Sequence, residues 1–506
     1  MSFLNALTGQ LAGLWMLLVL GLLIVTTGLP VWALLVGVAT AFAAMGLAGG
    51  IMDLNILSAL PVRTIGLLEH DLLQAMPLYV FIGVLLQRLT VADALLSSLA
   101  RLFRPLGSSG ASQSLAALGV GALIAPMNGS VASSSSLLSR LVAPRLGGMP
   151  PARATALISV AATIGVVVPP SLVLILLSDA MMRAHTEASN LPGFVLGSQR
   201  IINTQDVLHA ALLPAAGVLL LWAVVAWWQG RSADANSPAH RPEARVDIAQ
   251  AAIAFIAGAV ILGLLGSVFS GKLYAVEAAA TGGVLLIGAT LLARALSGSQ
   301  WSEVLLDTLS LSGALFALLV GATTFSLIFR LFGTDRYLAE LVLGSTLPPL
   351  ATAALVLLLV ALCAWVLDAF EMIFVIIPIV APALIARLGD AQQAAVLLLL
   401  VLQLSFLIPP MGYAVLMVRA RSGLPAVPTG RILKALMPYI LVQIALAALV
   451  FMVPQTVHQL EAAALPVPES SPAADLDVLQ QMEEMAGKAG ADDASGAPAA
   501  AASASQ

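Results

Sequence analysis

The sequence predicts an all-α polytopic membrane protein, an inverted repeat of two five-span halves, and three observations predict it. The 506 residues are 60% hydrophobic and only 9% charged, against about 25% charged in an ordinary soluble domain. A 19-residue hydropathy window finds ten apolar stretches, near 11–28, 30–49, 76–92, 152–178, 207–228, 247–266, 273–294, 312–332, 391–417 and 431–453. Finally, two features recur at one spacing: Asn128 and Asp368 stand 240 positions apart, as do the pairs Pro169-Pro170 and Pro409-Pro410, each pair 41 residues after its polar partner. A net charge of −4 offers no basic surface for nucleic acid. The single cysteine, Cys363, excludes an internal disulfide or a thiolate metal cluster.

Each element follows from local composition. No Lys or Arg precedes Arg63, so the apolar run Leu11 to Val25 lacks the basic region of a cleaved signal peptide and is expected to stay as the first span. Apolar stretches at about 112–145 and 350–387 carry polar or turn-forming residues in their middle: Pro126, Asn128, Gly129, Ser130 and the Ser133 to Ser136 run in one, Asp368 and Glu371 in the other. Such residues are tolerated at membrane depth only where backbone is buried in protein or lines a cavity, so both stretches predict re-entrant hairpins. Amphipathic stretches, 93–103 and 335–343, precede them. The expected organisation is a first repeat over 1–228, with its hairpin at 112–145 and a broken helix at 152–178, and a cytoplasmic linker over 229–246. A second repeat over 247–453 has its hairpin at 350–387 and broken helix at 391–417, and a disordered Ala, Pro and acidic tail covers 454–506. Five crossings per half, an odd number, invert the second half. Placing both termini in the periplasm puts fourteen of the 22 basic residues on the cytoplasmic side.

Proline inside a helix removes an amide donor and clashes with the carbonyl four residues back, so two in succession open the helix. Thr163-Ile-Gly165-Val-Val-Val168-Pro169-Pro170-Ser171 and Ser405-Phe-Leu-Ile408-Pro409-Pro410-Met-Gly412 combine that opening with glycine and hydroxyls. Freed carbonyls and hydroxyls are hard oxygen ligands suited to sodium, and half-helix N-termini favour a carboxylate. Taken singly, Pro-Pro reads as a kink and the serine run as small-residue packing. The repetition at matching distance from a polar tip favours a site. Asp368 and Glu371 in apolar surroundings are expected to be neutralised, paired or functional. Glu277 is read as interfacial, Glu69-His70-Asp71 as a surface connector, and Trp222, Trp227 and Trp228 as an interfacial belt. No basic side chain is evident at the depth of the hairpin tips.

These residues resemble the large membrane subunit (DctM-like) of TRAP transporters, the tripartite ATP-independent periplasmic carriers, over about residues 10–453. The resemblance is carried by Gly28-Leu-Pro30, Met76-Pro77 through Gly83, Asn128-Gly129-Ser130, Thr163-Ile-Gly165, Pro169-Pro170-Ser171, Glu277-Ala-Ala and Pro409-Pro410-Met-Gly412. The second half is most similar to the mannitol/chloroaromatic-type branch, through Asp368-Ala-Phe-Glu371-Met-Ile-Phe374, Pro378 and Leu402-Gln403-Leu-Ser405 onward. The resemblance implies an elevator-type, sodium-coupled importer of small organic acids in the bacterial inner membrane. It implies two partners, a periplasmic substrate-binding protein and a separately encoded small four-helix membrane subunit (DctQ-like). No cofactor is implied beyond sodium as the coupling ion. Substrate and ion contacts then fall on Asn128, Gly129, Ser130, Thr163, Gly165, Val168, Pro169, Pro170, Asp368, Ser405, Ile408, Pro409, Pro410 and Gly412. Among these, Ser130, Thr163, Gly165, Asp368, Ser405 and Ile408 are the implied sodium ligands.

The chain departs from that pattern. Val401, Leu404 and Ile408 stand where the branch has Asn, Thr and Thr, so three side-chain oxygens are absent from a sodium site of the family. Ala162 replaces a usual glycine, and Pro126-Met127 replace small residues before the first tip. Two alternatives stay open on sequence: a degenerate or regulatory non-transporting paralogue, and an intramembrane enzyme using Asp368 and Glu371 as an acid/base pair. Neither H-E-x-x-H nor a phosphate-binding G-x-x-x-x-G-K-[ST] loop occurs, which disfavours a zinc hydrolase and a primary pump.

Overall fold

The computed structural model describes residues 9–52, 58–69, 71–128, 130–146, 148–169, 171–191, 202–234, 248–364, 367–408 and 412–459. Among them there is no strand, as expected where a bilayer offers backbone groups no water and each segment must satisfy its own amides. Gly129, Pro170, Pro409, Pro410, most of the predicted linker and nearly all of the predicted tail lie outside the described residues.

The chain begins with α1 (Ala12–Thr27) and α2 (Val31–Ala48). The turn between them is made by Gly28 at φ +64°, which ends α1 in the left-handed conformation, and Pro30, which caps α2. A short α3 (Ala59–Leu68) leads to α4 (Asp71–Arg88) and the amphipathic α5 (Val91–Leu102), α4 and α5 meeting at 72°. Next come α6 (Ser109–Ile124), a tight turn at Ala125–Asn128, and α7 (Val131–Val142), at the place predicted for the first hairpin. The predicted fourth span is two helices, α8 (Pro151–Val167) and α9 (Leu172–Ala188), bent by 42° at the proline break. The long α10 (Thr204–Asp234) follows.

A similar order of helices follows, with one long helix where the first half has α3 and α4. After α11 (Ile248–Phe269) and α12 (Ala275–Leu292) come α13 (Gly298–Leu331) and the amphipathic α14 (Thr334–Leu343). The second hairpin stretch is α15 (Pro349–Cys363) and α16 (Ala369–Leu388), which contains a π-helical segment at Met372–Ile376. The second broken helix is α17 (Ala391–Ser405) and α18 (Tyr413–Arg421), and α19 (Thr429–Met452) closes the series before a one-turn α20 (Gln455–His458). Among the described residues, seven helices are long and apolar enough to cross a membrane, or up to nine counting each bent pair as one span. One of the seven is α16, so the returning arm of the second hairpin is long enough to cross on its own.

Burial sorts these helices into inner and outer. Every residue of α8 from Ala154 to Val167, and of α17 from Ala391 to Leu400, is buried. The outer helices instead present large apolar side chains, such as Phe255 at 77% and Leu292 at 89% exposure, to what must be lipid. Trp222 is a correction to the interfacial belt: it is fully buried and donates from Nε1 to the Tyr439 carbonyl of α19 at 3.1 Å. Trp228 is 62% exposed and Trp227 is half-buried, its Nε1 donating to the Leu106 carbonyl at 2.7 Å.

Candidate functional site

Both hairpins are organised by the N-terminus of their returning helix. Ser130 caps α7, its hydroxyl accepting from Ala132 N at 3.2 Å. Asp368 caps α16: its carboxylate accepts from Ala369 N at 2.8 Å, while the Glu371 carboxylate accepts from Asp368 N at 3.0 Å. Asp368-Ala-Phe-Glu371 is therefore a capping box, in which two carboxylates satisfy amides that a helix start leaves without partners. This occupies, in backbone bonding, the pair that an acid/base enzyme would need.

The hairpins and broken helices pack crosswise. The second piece of the first broken helix, α9, lies against the returning arm of the second hairpin, α16, and α18 of the second broken helix lies against α7 of the first hairpin. The first pieces, α8 and α17, pack on each other and on the hairpins of their own halves. Where they cross, Gln403 Nε2 donates to the Thr163 carbonyl at 3.2 Å, and Gln443 Nε2 of α19 donates to Gln403 Oε1 at 2.8 Å and to the Leu400 carbonyl at 3.2 Å. All three side chains are fully buried. Thr163 and Gln403 are themselves 240 positions apart, so positions equivalent under the sequence spacing meet each other at the centre.

The first break brings together part of the predicted set. Val168 turns extended at ψ 116°, and buried Pro169 follows it. Ser171 bridges the gap by donating to the Val166 carbonyl at 3.2 Å and accepting from Leu174 N at 3.0 Å. Ser130, Ser134 and Gly165 line a common void of about 10 Å³ with Ala125, Pro126 and Ala162. That is about the room one water-sized particle needs. A Cβ at Gly165 would fall onto the backbone of Ala125, so glycine here lets the first hairpin tip close on α8. Thr163 does not line this void: its hydroxyl donates to the Val160 carbonyl at 2.9 Å, and its carbonyl takes the Gln403 amide.

At the second break, Ser405 donates to the Leu402 carbonyl at 2.7 Å, and Ala414 N reaches back to the Phe406 carbonyl at 3.2 Å. A Cβ at Gly412 would meet the Ile408 carbonyl oxygen at 3.0 Å, so the chain returns close to itself. Asp368, Ser405, Ile408 and Gly412 line neither the small void nor the larger cavity described next.

A cavity of about 470 Å³ lies between α3, α9, α13 and α16. It contains the basic side chains not foreseen near the hairpins: Arg63, Arg183 and Arg330, with Asp179 and Glu187, beside Ile373 and Phe374 of the π-helical segment. Their signal in the sequence lies at the ends of the apolar stretches. Asp179 and Arg183 continue the helical spacing beyond residue 178, where apolar character ends, and Gln403 and Gln443 are amides in otherwise apolar helices.

Paired hairpins, broken helices with buried polar contacts and a lined cavity in an apolar helical body define a class, the multi-span membrane carriers. The chain belongs to the tripartite ATP-independent periplasmic transporter family, DctM component, whose profile matches residues 16–456. It is similar to the sialic acid TRAP transporter large permease protein SiaM of Vibrio cholerae serotype O1, at 26% identity over 194 residues. That alignment covers 38% of this chain and 44% of the relative, so less than half of the curated relative is matched. Its fold is similar to that of the Alcanivorax borkumensis YdaH transporter, with a TM-score of 0.58 and 18% identity, over 81% of this chain and 91% of that one.

Proposed function

We propose that this chain is the large permease of a tripartite, sodium-coupled importer of small organic acids, working by elevator-type alternating access in the bacterial inner membrane. The observation that carries the reading is the crosswise packing of two broken helices and two hairpins, with Gln403 meeting Thr163 at its centre. We read residues 1–228 and 247–453 as inverted repeats, both hairpins as entering and leaving by one face, and the termini as periplasmic. A rigid body of hairpins and broken helices can then slide against an outer frame formed by α1, α2, α11 and α12.

We assign one sodium to Ser130 and Gly165, at the void that has room for one small particle, and propose Thr163, Asp368, Ser405 and Ile408, which lie outside that void, as sodium ligands away from it. Asn128, Gly129, Val168, Pro169, Pro170, Pro409, Pro410 and Gly412 complete the cargo and ion contacts, through backbone groups freed at the tips and breaks. A periplasmic binding protein delivers the cargo, and a small DctQ-like subunit braces the frame. We further propose that the chain belongs to the mannitol/chloroaromatic-type branch, on the likeness of Asp368 to Phe374 and Leu402 to Ser405 to that branch. Uptake of labelled organic acids into proteoliposomes, with binding protein and small subunit present, tests this. Accumulation should require an inward sodium gradient, and uptake indifferent to that gradient refutes the coupling.

A further inference from the structure

The larger cavity is bounded by one polar face from each of two helices. Asp179, Arg183 and Glu187 follow one another at four-residue steps on α9, and Thr323, Ser326 and Arg330 occupy the facing side of α13. Ile373 and Phe374 of the π-helical segment supply an apolar wall. Across the cavity, Arg330 Nη2 lies 2.5 Å from Glu187 Oε1, both side chains about one-third exposed at 29% and 33%. Arg183 is paired with the buried Asp179 one turn away on its own helix. Arg63 of α3 is the third guanidinium on the wall, leaving one positive charge in excess.

Arg330 is thus the guanidinium that binds a carboxylate from the opposite wall, in a cavity whose size falls within the roughly 300–1,000 Å³ of small-molecule sites. Its planar fork suits any carboxylate, and nothing in the pair is specific to a side chain of the protein. We propose that Arg330 recognises the carboxylate of the cargo and that Glu187 is a built-in surrogate, which the cargo displaces on binding. The single excess charge and the flanking hydroxyls of Thr323 and Ser326 define the cargo class as a small, hydroxylated monocarboxylate. This rests on the importer reading and adds to it the residue that selects the cargo. Displacing Glu187 also removes the ionic tie that joins α9 to α13.

The test is gluconate binding to the full chain purified in detergent, by calorimetry, with glucose and sulfate as controls. Removing the surrogate in Glu187→Gln should tighten gluconate binding, whereas Arg330→Gln should weaken it about tenfold or more, the usual scale for losing a charge-assisted bond. Arg330→Lys, which keeps the charge, should recover part of the loss. If Glu187 were only a structural partner, Glu187→Gln would weaken binding or leave it unchanged, and either result overturns the proposal. So does equal binding of glucose or sulfate, or no gluconate binding by wild type and Glu187→Gln alike. Sodium-driven uptake, measured in parallel on wild type with a mixed panel of organic acids, keeps the two readings apart. Uptake with an unresponsive Glu187→Gln sinks only the surrogate, while a shifted affinity without any uptake sinks only the importer.

Discussion

Gln403 offers the most direct test of the central architecture. Its side chain makes two interhelical hydrogen bonds, one to α8 through the Thr163 carbonyl and one with Gln443 of α19. Replacing it by leucine, of similar volume, removes both without opening a large cavity. Interhelical hydrogen bonds within membranes average about 0.6 kcal/mol and reach about 1.7, so Gln403→Leu should cost about 1–3 kcal/mol. Gln443→Leu should be milder, because Gln443 Oε1 is buried without a hydrogen-bond partner and its removal lifts a desolvation cost. In the double variant the shared bond is lost only once. A double-mutant cycle by denaturant unfolding of the purified protein should therefore give a coupling of about 0.6–1.7 kcal/mol. Strict additivity, or a Gln403→Leu as stable as wild type, would refute the contact and with it the meeting of the two broken helices.

Other outcomes follow from the same geometry. Gly165→Ala drives a methyl group into the Ala125 backbone and should destabilise by about 1–3 kcal/mol while abolishing uptake; unchanged melting and transport would show that the hairpin tip is not seated on α8. Asp368→Ala should cost about 1 kcal/mol through the lost cap, whereas Asp368→Asn keeps the cap. If Asp368 also binds sodium, Asn should retain stability but lose sodium-dependent uptake, and full uptake by Asn assigns the residue to capping alone. Arg387 donates to the carbonyls of Val342, Leu343 and Ser345 at the end of α14, so Arg387→Ala should loosen that helix and raise its amide exchange, with a silent exchange profile as the contrary result. A green fluorescent protein fused to the carboxy terminus should stay dark, and bright cytoplasmic fluorescence would reverse the assigned topology.

The sequence alone determined much of this protein, because the rules involved are local. Apolar runs of about 20 residues become spans, and the paired prolines mark where α8 gives way to α9 and α17 to α18. The polar tips and amphipathic stretches fell where α5 and α14 and the turns after α6 and α15 are found. Tertiary structure decided what depends on partners distant in the chain. Which amides the Asp368 and Glu371 carboxylates bond depended on what the fold brought within reach, and these are the amides of the helix start. Trp222 had the composition of a belt residue, yet α19 covers it. The partners of Gln403 and the pairing of Glu187 with Arg330 join helices whose mutual position no local pattern encodes. In an apolar chain with few charges, spans are specified by hydropathy, which is summed along the sequence, whereas sites are specified by the few polar groups that meet across it.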